Sequence, residues 1–390
     1  MSGSLNRRAG PPAGKKRVPV WLTAGLLADL AACLLRYSAR SVPGFADRYT
    51  DVMNPLLVGT LGRISGVFPF SLAELLLCLI IITLFAALAQ LIFSAAGPAG
   101  SRNRLFSRIG ILGRNCFCLL SALFLLFELN EDVYFYRTRF AVRYGLERDS
   151  YSTEELAIVC RGLSAEINEY APLVLRDKDG HMIADKDLPE RMRSSMRGLG
   201  EIYPELSGWY PRPKYIFFST LLSRGDITGV YSMFTVEANL NRDMPQYNLP
   251  FTVGHELSHL KSFESEKEAN FLGYLACMSS EDPDVRYSGA MMGWVYCGNE
   301  LHKRDYDLWK EIYSSICPEA QEDLKHNNEY WDRYKGKVSE TVQNMNDSYL
   351  KAQGLKEGTL SYDLVTDMIV SFELQKNKKR KENHEIQIRQ

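Results

Sequence analysis

The chain has 390 residues and a nearly balanced charge, 46 Lys and Arg against 47 Asp and Glu, for a formal net charge of −1. That balance gives no electrostatic case for nucleic acid as a partner, and the length allows a membrane region plus one sizeable soluble domain, or two small domains. None of the eight cysteines forms a Cys-x-x-Cys pair, which argues against a zinc ribbon or a thioredoxin-like redox site.

In chain order, residues 1–17 are a basic tail with Arg7, Arg8, Lys15, Lys16 and Arg17. A membrane region follows over 18–130, with three apolar runs at 18–37, 71–96 and 109–129. About 20 apolar residues cross a bilayer core as helix, so the second run is a span on length alone, and the third is one after Arg114. The first carries Asp29 near its middle, and a carboxylate at the centre of a span costs about 2.5–3.5 kcal/mol. Its basic flank also fits a secretory signal peptide. No small-residue cleavage site follows at once, which favours an uncleaved span. Asp29 and Glu74, inside or near spans, are functional candidates by position. The basic residues at 1–17 and 97–108 belong on the cytoplasmic side, so three spans place residue 131 onward outside the cell; two would leave it in the cytoplasm.

The soluble domain is expected over 131–375, with 376–390 a charged flexible tail. Residues 153–171 have helical periodicity with Thr153 as N-cap, and 175–205 form a loop followed by a helix. "YPRPKYIFF" (210–218) predicts a strand after a proline turn, and 227–241 predicts one or two strands. A loop at 244–250 leads to helices at 251–263 and 265–278, the second opened by a capping box of Ser265 and Glu268. Further helices are predicted at 283–301, 304–315, 318–352 and 361–375, with glycines breaking the last two apart. Strands followed by helices give an α+β domain, mainly helical with a short sheet. Cys277, Cys297 and Cys317 can include a disulfide, although free buried thiols are the commoner case.

The chemistry concentrates in "FTVGHELSHLKSFESEKEAN" (251–270). His255 and His259 stand four apart, so on a helix they share one face, and two imidazoles can then reach one zinc ion at about 2.0–2.1 Å. Glu256 lies at the same edge, where it can take a proton from a water that zinc activates. A catalytic zinc needs a third protein ligand, and Glu264, Glu266 and Glu268 are the nearby candidates. Glu266 is favoured because Asn270 lies one turn beyond it on the same face, where its amide oxygen can accept the other ring N–H of His255. Glu268 is roughly 200° round the helix from Glu266, so both cannot face one ion, and Glu268 stays open as the alternative ligand. The rival reading is a solvated helix with ordinary histidines, since this motif also arises by chance. Tyr287 is a candidate to stabilise an oxyanion, or simply a packed aromatic. Glu237 and Asn239 can support a substrate-edge strand, or be an exposed polar pair. His302 and His326 read as solvated.

The stretch "FTVGHELSHLKSFESEKEANFLGYLAC" resembles the domain of unknown function 3810 family of bacterial membrane proteins, whose members look like zinc metallopeptidases of the gluzincin type. The resemblance extends through "YSMFTVEANLNRDMPQYNLPF", "SSEDPDVRYSGAM", "YWDRY" and "DSYLKAQGLKEGTLSYDLV", and so covers most of the chain. "EKEAN" is similar to the glutamate-bearing second helix of gluzincins, which implies Glu266 as third ligand and Asn270 at a position where an acid would orient the histidine more strongly. The resemblance also implies a minimal zincin fold in which 229–239 borders the cleft and can pair with an extended peptide. The expectation is a multi-pass cell-membrane protein whose extracytoplasmic domain is a Zn2+-dependent metallopeptidase, with the lipid bilayer and a peptide or protein substrate as partners. The alternative is a non-catalytic zincin-like module binding an envelope ligand or partner protein, against which the intact Glu256 argues. An intramembrane protease is disfavoured, because 241–270 is too charged for a span.

Overall fold

The computed structural model describes residues 18–96, 101–148, 150–353 and 362–389. The basic tail at 1–17 and the glycines of 354–361 lie outside these. Three helices are long and apolar enough to cross a membrane: α1 (Val20–Ser41), α3 (Leu72–Ala95) and α4 (Ser101–Asn130), with α2 (Phe45–Leu57) between the first two. They coincide with the three apolar runs. Their large apolar side chains point outward, as on Phe85 and Leu120, which suits a hydrocarbon solvent. Asp29 is accommodated inside α1 because Ser121 Oγ of α4 donates to it at 3.2 Å. Arg108 of α4 donates to Gln90 O and Ser94 Oγ of α3. The start of α4 therefore meets the end of α3, and the other ends, Leu72 and Asn130, lie at the opposite face.

Beyond these apolar helices the molecule is mostly helical. α5 (Thr153–Tyr170) is capped by Ser152, one residue before the expected Thr153, through a reciprocal pair with Glu155. α6 (Leu188–Leu199) follows. The expected strand at 210–218 shrinks to β1 (Lys214–Tyr215), because Pro211 and Pro213 have no N–H to give a ladder and a helical turn begins at Ser219. With β2 (Gly229–Ser232) and β3 (Glu237–Leu240) it makes a sheet of order β1-β3-β2, parallel between β1 and β3 and antiparallel between β2 and β3.

This order corrects the placing of Glu237 and Asn239 at a substrate edge. Both are buried on the central strand, and the edges are β1 and β2, of which β2 borders the cavity. Glu237 instead accepts the backbone N–H groups of Leu72 and Ala73 at 3.1 and 2.8 Å, and pairs with the buried Lys214. A carboxylate at the first turn of α3 suits the positive end of that helix and ties the sheet to the apolar helices. Asn239 donates its amide to Val230 O.

The longer helices that follow are α7 (Asn248–Leu260), α8 (Glu266–Met278), α9 (Pro283–Arg304), α10 (Tyr306–Ser314), α11 (Pro318–Asp332), α12 (Lys337–Ala352) and α13 (Tyr362–Arg389). The single helix expected over 318–352 is interrupted at 333–336, and α13 continues through the expected flexible tail to Arg389. The capping box at Ser265 does not form: Ser265 makes no side-chain cap, and Glu268 turns away to accept the Ala141 N–H at 3.3 Å. All eight cysteines are free. α8 is packed among α7, α9 and α13, and the core runs through these helices to α5 and α6.

Candidate metal centre

Two local features set the histidine helix against the glutamate helix. The first is a pair of glycines. A Cβ on Gly254 of α7 would stand 2.9 Å from the Gly273 Cα, and one on Gly273 of α8 would meet Phe251 O at 3.0 Å and His255 N at 3.1 Å. Only glycine at both positions lets the two backbones touch. The second feature is the turn between the helices. Phe263 N donates to Ser258 O and Ser262 N to His259 O, with Ser262 at φ 66°. This is a Schellman closure with serine in the left-handed position that glycine usually fills. It is held from outside by Arg137, which donates to Lys261 O, Ser262 O and Ser262 Oγ, and by Asn54, which donates to Leu260 O.

The turn folds Glu266 back onto the histidines. His255 Nε2 lies 3.0 Å from His259 Nε2 and 3.4 Å from Glu266 Oε2, and the three donor atoms all fall within 4.8 Å of one another. Ligands at about 2.0–2.1 Å from a tetrahedral ion sit roughly 3.3 Å apart, so the donor types suit zinc and the two distances from His255 match that spacing. The far side of His259 is set as well: its Nδ1 lies 2.9 Å from Phe263 O, which accepts the ring N–H and leaves the Nε2 lone pair facing the other donors. Glu264 adds a carboxylate 3.6 Å from the same nitrogen, and its own proton affinity is pushed well up by burial. The Tyr231 ring stacks over His259. Burial, then the neighbouring His259, holds His255 down to about 4. It is therefore neutral at pH 7 and able to bind a metal.

Asn270 lies against His255 and favours its protonated form. No bond of normal geometry reaches His255 Nδ1, which is buried and unpartnered among the described residues. Glu268, the alternative ligand, is buried on the other face of α8, as the helical spacing requires.

Glu256 stands beside the donor triplet, its carboxylate facing the Tyr231 backbone N–H. Burial, with Glu266 and Glu264 adding and His259 opposing, pushes it up to about 8. Space for it is left by Gly229, where a Cβ would come within 2.5 Å of Glu256 Oε1. All four residues line a cavity of about 1300 Å³, together with Gly229, Val230 and Tyr231 of the free edge β2.

Tyr287 is not in this cavity. It is buried, donates to Asp323 Oδ2 at 2.6 Å and accepts from Arg176, because that face of α9 turns into the core. Tyr296 and His302, further along α9, do line the cavity, as do Glu131 and Tyr349. Tyr349 donates to Glu131 at 2.9 Å. No motif signals these residues, since they come from separate elements. His326 stacks on His181 at 3.8 Å between centroids, away from the cavity.

Compared with known proteins, the chain matches the family described as Protein of unknown function (DUF3810) over residues 49–370. No curated protein and no solved structure matches it.

Proposed function

The chain belongs to the DUF3810 family, and for it we propose the function of a membrane-anchored zinc metallopeptidase with a minimal zincin-like domain. The observation that carries this reading is the convergence of His255, His259 and Glu266 beside the buried Glu256, on the wall of a cavity bordered by a free strand edge. His255, His259 and Glu266 would hold the ion. Zinc bound there supplies Lewis acidity, polarising a carbonyl and lowering the pKa of water to about 7.

The rest of the work falls to the chain's own groups. Glu256 accepts the proton of the attacking water and returns it to the departing amine. The free edge of β2 offers backbone groups to an extended peptide and sets its carbonyl beside Glu256. Phe263 O holds the His259 ring in one tautomer. In this reading α1, α3 and α4 cross the bilayer, and the positive-inside rule puts the cavity outside the cytoplasm.

The test is Glu256→Gln in the purified full chain. The proposal expects zinc content equal to wild type and peptide hydrolysis lower by about 10²–10⁴-fold. Undiminished hydrolysis would remove Glu256 from the chemistry. Zinc without cleavage of any peptide by wild type would favour a non-catalytic binding module.

A further inference from the structure

Resting on the peptidase reading, we propose that the substrates are polypeptides anchored in the bilayer and cut close to its surface. The first ground is the height of the site. From Arg108 to Glu128 of α4 is twenty residues, about 30 Å at ~1.5 Å per residue, which is the thickness of a hydrocarbon core, with Arg114 about 9 Å from its inner end, where a long side chain reaches the boundary. At the outer end Arg36 pairs with Glu128 and Asp132 at 2.6 and 3.1 Å, a charge cluster suited to the membrane boundary. Glu131 comes less than one turn later and already lines the cavity. Its carboxyl meets Glu264, which lies 3.6 Å from His259. The metal ligands are thus two side chains away from the end of a spanning helix.

The second ground is rigidity at that height. Asn54 and Arg137 hold the turn after α7, and Asn130, the last residue of α4, donates to Met233 O at 2.8 Å. The cavity is bolted to the membrane region rather than carried on a stalk.

The third ground is an apolar rim continuous with α3. Phe217 is 78% exposed, and Phe218 and Leu221 are also exposed. The backbone N–H groups of Phe217 and Phe218 both donate to Glu74, in the first turn of α3, at 2.9 Å. Phe68 and Phe70, just before that helix, are exposed too. Aromatic side chains at a helix's entry into the bilayer occupy the headgroup layer, so this rim seats the domain on lipid. The helical turn bearing Leu221 ends at Arg224, and the cavity lining begins at Gly225. The cleft therefore opens beside the lipid-facing rim.

The experiment uses the full chain, zinc-loaded, in vesicles of phosphatidylethanolamine and phosphatidylglycerol. The probe is one transmembrane-anchored polypeptide with two identical randomised cassettes. One starts at the anchor, and the other follows a Gly/Ser spacer of about 40 residues, with a mean reach of roughly 35 Å. Cleavage sites are mapped by mass spectrometry, with Glu256→Gln as blank. The proposal expects the near cassette to be cut about tenfold or more in excess, since linkage helps only where geometry lets both ends engage. The double variant Phe217→Asp, Phe218→Asp should lower that ratio toward one while retaining zinc. If it fails to fold, the wild-type ratio decides alone. Equal cutting of both cassettes, or excess at the far one, overturns the proposal and leaves the peptidase reading standing. No cutting of either above the blank overturns both.

Discussion

α3 and α7 are both largely apolar, and they use that property in opposite ways. α3 presents its leucines, isoleucines and phenylalanines outward, and a lipid surround, as proposed above, would ask only for length and lack of charge. α7 is buried along its length except at His255, and single residues decide what it does: Gly254 admits α8, His255 and His259 face Glu266, and Glu256 sits under Gly229. Composition is enough to recognise the first kind of helix. The second is recognised only by residue spacing, and its partners are set by contacts distant in sequence.

The sharpest way to break this arrangement is at the joint between the two regions. Glu237→Ala leaves Lys214 buried without its partner and uncaps Leu72 and Ala73. It should cost about 3–5 kcal/mol, seen as a lowered denaturation midpoint of the detergent-solubilised full chain; an unchanged midpoint would mean that the sheet and α3 are not coupled. Next comes Gly273→Val, which forces apart α7 and α8 at their closest point. A loss of about 1–3 kcal/mol is expected, together with weaker zinc binding in a competition titration, because Glu266 moves with α8.

A third test uses pH on the metal-free protein. The folded state holds Glu256 up to about 8, against an ordinary value of about 4.3. Its neutral form is therefore favoured by folding, and that contribution is complete below the ordinary value and lost as pH rises toward 8. Glu256→Gln does not titrate, so its melting temperature should gain on wild type between about pH 4.5 and 8. A constant gap would show that the carboxyl is not buried. The smallest effect is expected in the membrane region, where Ser121→Ala removes the donor to Asp29 and should cost only about 0.6 kcal/mol, read from unfolding in bicelles.

These contrasts also explain what was legible in the sequence. The three apolar runs match helices because length and composition suffice. The histidine pair follows from helical spacing, which also shows that Glu266 and Glu268 cannot both face one ion. Which of the two does so stays open in the sequence, because it depends on how α8 docks, and the structure turns Glu266 toward the histidines and Glu268 away. The position of Glu237 was not legible, because its partners Leu72 and Ala73 lie 165 and 164 residues earlier in the chain and the pairing that makes β3 the central strand is not local either. The Ser265 capping box failed because Glu268 has a better partner in Ala141, on a distant segment. Tyr287 failed because the face of α9 that turns inward is chosen by Asp323 and Arg176. Gly254 and Gly273 were visible as glycines, yet only their mutual contact gives them meaning.

The central claim is that His255, His259 and Glu266 together grip one zinc ion, and metal analysis of four purified full-length proteins tests it most directly. Wild type and Glu268→Ala should each carry about one zinc per chain, while His259→Ala and Glu266→Ala should lose most of it, because a catalytic site with three protein ligands has none to spare. Zinc retained in full by His259→Ala, or lost from Glu268→Ala and kept by Glu266→Ala, would contradict the account.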